Sequence, residues 1–205
     1  MIIGVIGKPR MGKTLFITTL GYFDAFAKEI IESDKATAFD KIFLRLLGYN
    51  EYTIKRKIYG NYALGFDYIP YDMDDVLSIK HMKMDIEPKT FLMQEAGKWF
   101  DSRNSMSPEN RDLINFTGQS GKRETNLYYD DQFITRIDRG LRDVTEKSYI
   151  ANCTRKPDGT PILFEYEEYG GYFQYPTNRT IKLPAFWMQQ FYNKYDTRQA
   201  TIKEA

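Results

Sequence analysis

Apolar and polar positions along the chain predict short strands separated by helices. Apolar runs typical of buried strands lie at 2–6, 90–95, 125–132 and 148–154. Between the first two runs, apolar residues at helical spacing extend from Thr14 to about Ile31. Strands that alternate with helices favour a mainly parallel sheet covered by helices on both faces. We therefore predict an α/β fold.

The last third of the chain follows a different pattern. Two strand-like stretches flank Gly170 and Gly171 and predict an antiparallel hairpin or meander, and 185–195 forms an amphipathic helical pattern. The sequence shows neither an internal repeat nor a long linker, so we expect a single domain, 1–205, with a core of 1–154 and a C-terminal hairpin and helix at 155–205. The remaining predicted elements are helices at 40–47, 72–80, 107–123 and 137–145 and a strand at 58–66.

Composition narrows the class of protein. The chain has 205 residues, 42% of them hydrophobic and 28% charged, which suits one globular domain. A net charge of +1 argues against nucleic-acid binding by bulk charge and leaves room for a local basic groove. The apolar runs are far shorter than the ~20 residues that span a bilayer, and the first lacks a signal-peptide cleavage pattern. We expect a soluble intracellular protein.

The most specific signal is GKPRMGKT at 7–14, which satisfies G-x-x-x-x-G-K-(S/T). A loop between a strand and a helix can surround a phosphate with backbone N–H groups, and the helix dipole adds positive potential. Lys13 is expected to reach the β- and γ-phosphates, and the Thr14 hydroxyl to bind Mg²⁺. The residues predicted to hold the nucleotide are Gly7, Lys8, Pro9, Arg10, Met11, Gly12, Lys13, Thr14 and Leu15.

Two further strands end in polar residues that could act on a bound triphosphate. Gln94 and Glu95 follow the strand Thr90–Met93, and ligands of open α/β sheets bind at the carboxyl ends of the strands. Glu95 can activate a water for hydrolysis, and with Thr14 and Gln94 it forms the predicted metal set. Gln132 ends the next strand, where its amide could sense the γ-phosphate or hold the water.

Together these motifs resemble the FtsK–HerA superfamily of P-loop ATPases, in particular the DNA-packaging ATPases of icosahedral viruses such as the Sulfolobus turreted icosahedral viruses. The resemblance covers roughly 1–154 and includes FLMQEAGKWFDSR, GKRETNLYYDDQ and IDRGLRD, with YNKYDT at 192–197. It implies a RecA-like sheet, ATP as substrate, Mg²⁺, water activation by Glu95 and γ-phosphate sensing by Gln132. The aspartate that the family carries before the glutamate is Gln94 in this chain, so the metal role of that position departs from the family.

The resemblance also implies partners. These are double-stranded DNA, a viral capsid or portal vertex, and further copies of the chain in a pentameric or hexameric ring. The location implied is the host cytoplasm, in association with the virion or procapsid. Ring ATPases commonly use a basic residue from the neighbouring subunit; Arg123 is our first choice, Lys122 the second and Arg142 a weaker one. The phosphate loop starts at residue 7, so we expect DNA contacts from the motor domain itself, with basic spots at Lys55–Lys57, at Lys80 with Lys83, and at Arg155 with Lys156.

Three other functions compete with this interpretation. The first is another P-loop class, a GTPase or a nucleotide kinase. NKYD at 193–196 suggests a GTPase, but that sequence follows a predicted helix, whereas the guanine-reading motif follows a buried strand. A kinase would need a lid over a second substrate pocket, usually rich in arginine, and no such segment stands out. A filamentous-phage assembly ATPase of the zonula-occludens-toxin type shares the core but carries a transmembrane segment. A non-catalytic nucleotide-binding assembly protein is the third, because Gln94 replaces a charged metal partner. His81 and Cys153 are the single histidine and cysteine, which excludes a zinc cluster or a Cys/His nucleophile pair within one chain.

Overall fold

The computed structural model describes residues 1–33, 36–50, 52–71, 87–104 and 124–195. Within these ranges an eight-stranded sheet has the order β3-β2-β4-β5-β1-β6-β7-β8. The strands are β1 (Ile2–Ile6), β2 (Lys57–Gly60), β3 (Ile69–Pro70), β4 (Lys89–Met93), β5 (Thr125–Asp131), β6 (Lys147–Arg155), β7 (Pro161–Gly170) and β8 (Tyr175–Pro184).

Strand directions bring several loops to one edge of the sheet. β1 pairs in parallel with β5 and β6, and β4 pairs in parallel with β5 and β2. The carboxyl ends of β1, β4, β5 and β6 therefore meet at one edge. β7 and β8 add to β6 in antiparallel fashion, so β7 begins and β8 ends at that same edge. This arrangement confirms the predicted mixed α/β sheet, with antiparallel strands near the C-terminus.

The α-helices of the described ranges cover both faces of the sheet. They are α1 (Lys13–Glu32), α2 (Ala38–Leu47), α3 (Arg139–Val144) and α4 (Ala185–Tyr192). α1 crosses the sheet closely, and a Cβ at Gly21 would lie 2.6 Å from a methyl carbon of Leu92. Glycine at this helix position is therefore explained by the close approach of helix and strand.

Alternating side chains of the central strands form two cores. Ile3, Val5 and Tyr128 face α1, α2 and α4, whereas Ile2 and Phe91 belong to the core on the other face. Many of the aromatic side chains are buried in these cores; the ring of Phe16 stacks on that of Tyr166 at a centroid distance of 4.0 Å. The high aromatic content thus supplies packing area.

Some predicted elements differ from the structure. The strand expected over 58–66 ends at Gly60, because the next residue, Asn61, uses its side chain to bind the backbone beyond β4. The helices expected at 72–80 and 107–123 lie outside the described residues. In the part of the chain that is described, none of the helices combines the length and apolarity needed to cross a membrane.

Candidate functional site

The GKPRMGKT loop connects β1 to α1 and has an unusual backbone. Arg10 has φ 65° and Gly12 has φ 83°, both in the left-handed region. The carbonyl of Gly12 accepts the first helical hydrogen bond, from the Phe16 N–H at 3.0 Å. N–H groups of a first helical turn have no partner within the helix, and here they lie at the sheet edge where the loops meet.

The C-terminal hairpin packs against this loop. The Tyr166 hydroxyl donates a hydrogen bond to the Gly12 carbonyl at 3.0 Å. A Cβ at Gly12 would lie 2.6 Å from the Phe164 ring, and one at Gly7 would lie 2.7 Å from the Ala151 carbonyl oxygen. Both glycines of the motif are therefore required by close packing against β6 and β7, and at Gly12 by the backbone angle as well.

Lys13 lies in a buried, acidic environment. Its side chain is 8% exposed, and its Nζ donates a hydrogen bond to the Lys8 carbonyl at 3.0 Å. Burial lowers the pKa of Lys13, and the nearby carboxylates of Asp130, Asp131 and Glu95 oppose this shift. The ammonium group is thus held at the loop by a backbone oxygen, and a phosphate could replace that oxygen as its partner.

Thr14 is linked to Glu95 through Asp130. The Thr14 hydroxyl donates a hydrogen bond to Asp130 Oδ2 at 2.6 Å, and the Glu95 N–H donates to Asp130 Oδ1 at 2.9 Å. Asp130 is 1% exposed. Burial raises the pKa of Asp130 to about 6, against the lowering effects of the Glu95 and Thr14 hydrogen bonds and of the Lys13 charge.

Glu95 follows β4 in a backbone conformation that is rare for a residue with a side chain. Its φ is 54° and its ψ 51°, and its carboxylate pairs with Lys98 at 2.7 Å. The preceding residue, Gln94, exchanges two hydrogen bonds with the Asn61 side chain, from its N–H at 2.8 Å and to its carbonyl at 3.1 Å. Strained residues of this kind cluster at functional sites, and this one is directed to the sheet edge that carries the phosphate loop.

Asp131 fixes the loops after β4 and β5 relative to each other. Its carboxylate accepts hydrogen bonds from the N–H groups of Gly97 at 2.6 Å, Gln132 at 2.7 Å and Phe133 at 3.1 Å. Since β5 lies between β1 and β4, Gln132 stands next to the strand that carries Glu95, as the parallel pairing predicted.

These elements surround one cavity of about 470 Å³. Of the nine residues predicted to hold the nucleotide, Gly7, Lys8 and Met11 are not part of the lining. The sequence-predicted residues that line the cavity are Pro9, Arg10, Gly12, Lys13, Thr14, Leu15, Gln94, Glu95 and Gln132.

Several lining residues were not expected from the sequence. Asp130 could have been suspected, because two adjacent carboxylates that end a buried strand are costly to bury unless they have partners. Arg155 was predicted to contact DNA. In the structure it donates hydrogen bonds to the carbonyls of Gly159 at 2.8 Å and of Arg10. The other unexpected residues come from the hairpin, from the last residue of α4 and from the chain just after it: Pro161, Phe164, Tyr192 and Tyr195.

The predicted basic residues are distributed over the molecule. The Lys55–Lys57 cluster lies at the start of β2, at the sheet edge opposite the cavity, and Lys55 pairs with Glu29 at 2.7 Å. Arg142, on α3, lies 6.0 Å from the ring centroid of Tyr172 and does not line the cavity. Lys156 lies in the turn between β6 and β7. The remaining positions lie outside the described residues: Lys80, Lys83, Lys122 and Arg123.

Gly12→Ala is expected to lower the free energy of unfolding by more than the cost of a left-handed backbone conformation alone. The new Cβ would both meet the Phe164 ring and require an unfavourable φ. Gly48→Ala is the matched control, because Gly48 has φ 94° and nothing within 4 Å of its ideal Cβ. We expect Gly48→Ala to lower the free energy of unfolding by about 1–2 kcal/mol.

Gly12→Ala should lower the free energy of unfolding further and weaken nucleotide binding, as measured by denaturant unfolding and a fluorescent ATP analogue. Equal unfolding and binding results for the two variants would contradict the packing account.

Solved structures share the fold of this chain, although its sequence matches no family model and no curated protein. Among solved structures, the N-terminal domain of zonular occludens toxin from Neisseria meningitidis is similar, with a TM-score of 0.63, 16% identity, and coverage of 95% of this chain and 98% of that chain. The genome-packaging NTPase B204 of Sulfolobus turreted icosahedral virus 2, in complex with ATP-gammaS, has a TM-score of 0.50, 11% identity, and coverage of 88% and 95%. B204 of Sulfolobus turreted icosahedral virus, described as a DNA-packaging ATPase, has a TM-score of 0.50, 14% identity and the same coverage. The chain therefore shares its fold with the zonular occludens toxin domain and with B204.

Proposed function

We propose that this protein is an ATP-hydrolysing motor that moves double-stranded DNA into a preformed viral capsid. The observation that supports hydrolysis is the meeting of Lys13, Thr14, Glu95 and Gln132 at one cavity, although they come from three separate strand ends. Similar folds belong to two packaging NTPases, one of them solved with ATP-gammaS, and this favours ATP as the substrate.

The cavity is suited to a triphosphate with magnesium. The loop N–H groups and the Lys13 ammonium would bind the phosphates, and the Thr14 hydroxyl would bind the metal. The described residues include no cluster of three or more His, Cys, Asp or Glu side chains that could hold a metal alone. This fits Mg²⁺, which is usually bound by one or two protein oxygens together with substrate phosphates. When bound there, Mg²⁺ would supply positive charge that stabilises the negative charge developing on the phosphates.

Glu95 is the proposed general base. Its carboxylate lines the cavity, and its ion pair with Lys98 is partly exposed, so a bound nucleotide and water can compete for the carboxylate. Gln132 would orient the attacking water or contact the γ-phosphate from the neighbouring strand. Both side chains are placed by backbone hydrogen bonds to the Asp130–Asp131 pair, so they depend on the same two carboxylates.

DNA movement, assembly and location form the finer part of the proposal. A homo-oligomeric ring, a pentamer or a hexamer, would enclose DNA and dock on a capsid or portal vertex in the host cytoplasm. A basic residue of the neighbouring subunit, with Arg123 as first choice, would complete each site. Few DNA phosphate contacts per subunit are expected from the net charge of +1.

A second candidate is an assembly or extrusion ATPase of the filamentous-phage type. It is favoured by the higher TM-score and more complete coverage of the zonular occludens toxin domain. A third, a non-catalytic nucleotide-binding assembly protein, is suggested by the neutral Gln94. The three candidates differ in hydrolysis and in its response to DNA.

Steady-state ATP hydrolysis with and without linear double-stranded DNA separates these functions. A DNA-translocating motor should hydrolyse ATP faster with DNA, the stimulation should weaken steeply as salt is raised, and the motor should displace a third strand from a triplex. A rate of ATP hydrolysis that is the same with and without DNA at low salt would contradict the packaging motor and favour the assembly ATPase. A wild-type rate of ATP hydrolysis equal to that of Lys13→Ala would contradict the proposal that the protein hydrolyses ATP.

A further inference from the structure

The cavity contains a buried carboxylate to which the sequence motifs assign no function. Asp130 is the penultimate residue of β5, the strand between β1, which leads into the phosphate loop, and β4, which leads to Glu95. It lines the cavity although it is only 1% exposed. A buried carboxylate at this place requires either a structural or a functional reason.

The two oxygens of Asp130 contact the two parts of the site that must act together. Oδ2 accepts the Thr14 hydroxyl proton at 2.6 Å, and Oδ1 accepts the Glu95 N–H at 2.9 Å. A hydroxyl that binds a metal through an oxygen lone pair keeps its proton. The Thr14 hydroxyl can therefore bind Mg²⁺ and donate to Asp130 at once, and such outer partners strengthen and orient metal ligands.

The position expected to supply this charge cannot do so. Gln94 carries a neutral amide, and its backbone N–H and carbonyl are both bound to the Asn61 side chain. The carboxylate of Glu95 is paired with Lys98 at 2.7 Å. The remaining carboxylate in the lining is Asp130.

The Lys13 charge acts on Asp130 without forming a direct ion pair with it. Among the described residues, no ion pair joins Asp130 to a cation, and the Lys13 ammonium is hydrogen-bonded to the Lys8 carbonyl. A divalent cation at Thr14 would offset a buried negative charge that is otherwise costly. The polar surroundings of Asp130 thus fit a partner that arrives with the nucleotide.

We propose that Asp130 is the positioning residue of the magnesium site and that it replaces, from the adjacent strand, the carboxylate missing at position 94. It holds the Thr14 hydroxyl in the orientation that binds the metal and fixes the Glu95 backbone by the same carboxylate. The inference rests on the proposed nucleotide-hydrolysing function.

Asp130→Asn tests the inference by a binding measurement. The Mg²⁺ concentration that half-maximally tightens binding of a fluorescent, non-hydrolysable ATP analogue should rise by about 10- to 100-fold, the range typical for loss of such partners. Binding in EDTA should stay within about threefold of the wild type, since the phosphate contacts of Lys13 remain. Thermal unfolding of the ligand-free variant should show an unchanged or higher Tm, because a buried charge is removed.

Glu168→Gln is the matched control, because it removes a 6% exposed carboxylate that does not line the cavity. It should leave the Mg²⁺ requirement unchanged. In the Asp130→Asn background, Gln94→Asp should recover part of the lost Mg²⁺ response by supplying a carboxylate from β4.

The outcomes separate this inference from the proposed function. If wild type and Lys13→Ala bind the analogue equally weakly, the proposed nucleotide-binding site is contradicted, and the inference that rests on it is overturned as well. If wild type responds to Mg²⁺ and Asp130→Asn responds within twofold of it, only the inference is overturned. Should Asp130→Asn not fold, Mn²⁺ located by anomalous scattering in wild-type crystals with the analogue gives the answer. The ion should contact Thr14 on the side facing Asp130, and an ion held by Gln94 away from Asp130 would overturn the inference.

Discussion

Replacing Lys13 by alanine is expected to abolish ATP hydrolysis and to weaken nucleotide binding by about 10- to 150-fold. The loss corresponds to about 1.5–3 kcal/mol for a hydrogen bond that involves a charged group. Lys13 is buried, and its ammonium is already fixed at the loop by the Lys8 carbonyl, so little ordering is needed when a phosphate binds. The ligand-free variant should be at least as stable as the wild type, because burial lowers the pKa of Lys13 and thus disfavours the charged form in the folded state.

Phosphate release and equilibrium binding of a fluorescent ATP analogue check this prediction, with thermal unfolding as the test of folding. Lys147→Ala is a suitable control, since it removes a partly exposed lysine at the start of β6, at the sheet edge opposite the cavity. Binding by Lys13→Ala within twofold of the wild type would show that the phosphates are held elsewhere.

Glu95→Gln should reduce hydrolysis by about 10²- to 10⁴-fold, the usual contribution of a general base. Nucleotide affinity should change by less than about threefold, because the Glu95 contact that orders the site is its backbone N–H, which donates to Asp130 and is retained. The variant loses the ion pair with Lys98, whose partners are 31% and 36% exposed, so stability should fall by less than about 1 kcal/mol.

Single-turnover hydrolysis and analogue binding, measured on the same preparations, distinguish a loss of the hydrolysis rate from a loss of nucleotide affinity. Glu167→Gln provides a control for removing an exposed carboxylate, which here contacts Tyr169 on β7. A Glu95→Gln variant that hydrolyses ATP within tenfold of the wild type would contradict its role as base. A variant that also loses binding would indicate that Glu95 acts in nucleotide affinity.

The fold and the phosphate loop could be predicted because their signals are local. The GKPRMGKT motif is contiguous, and the apolar run 2–6 before it and the helical spacing after it place it between a strand and a helix. Glu95 and Gln132 could be placed at one edge because both follow buried strands, and parallel pairing brings such ends together.

The rest of the site is built by contacts between distant parts of the chain. Tyr166 binds the Gly12 carbonyl from 154 positions away, and Asp130 binds Thr14 from 116 positions away. Neither contact has a sequence signature, because each depends on which strands become neighbours and in which register. The early end of the strand at Gly60 has the same origin, since the Asn61 side chain binds the backbone of Gln94.

The decisive experiment on the hydrolytic site is a structure of the protein bound to Mg²⁺ and a non-hydrolysable ATP analogue. We expect the triphosphate in the loop of residues 7–14, its terminal phosphate in contact with Lys13, and the Glu95 carboxylate turned from Lys98 towards a water beside that phosphate. An analogue bound outside this cavity, or a terminal phosphate with Glu95 still paired to Lys98 and no water between them, would contradict the proposed hydrolytic site.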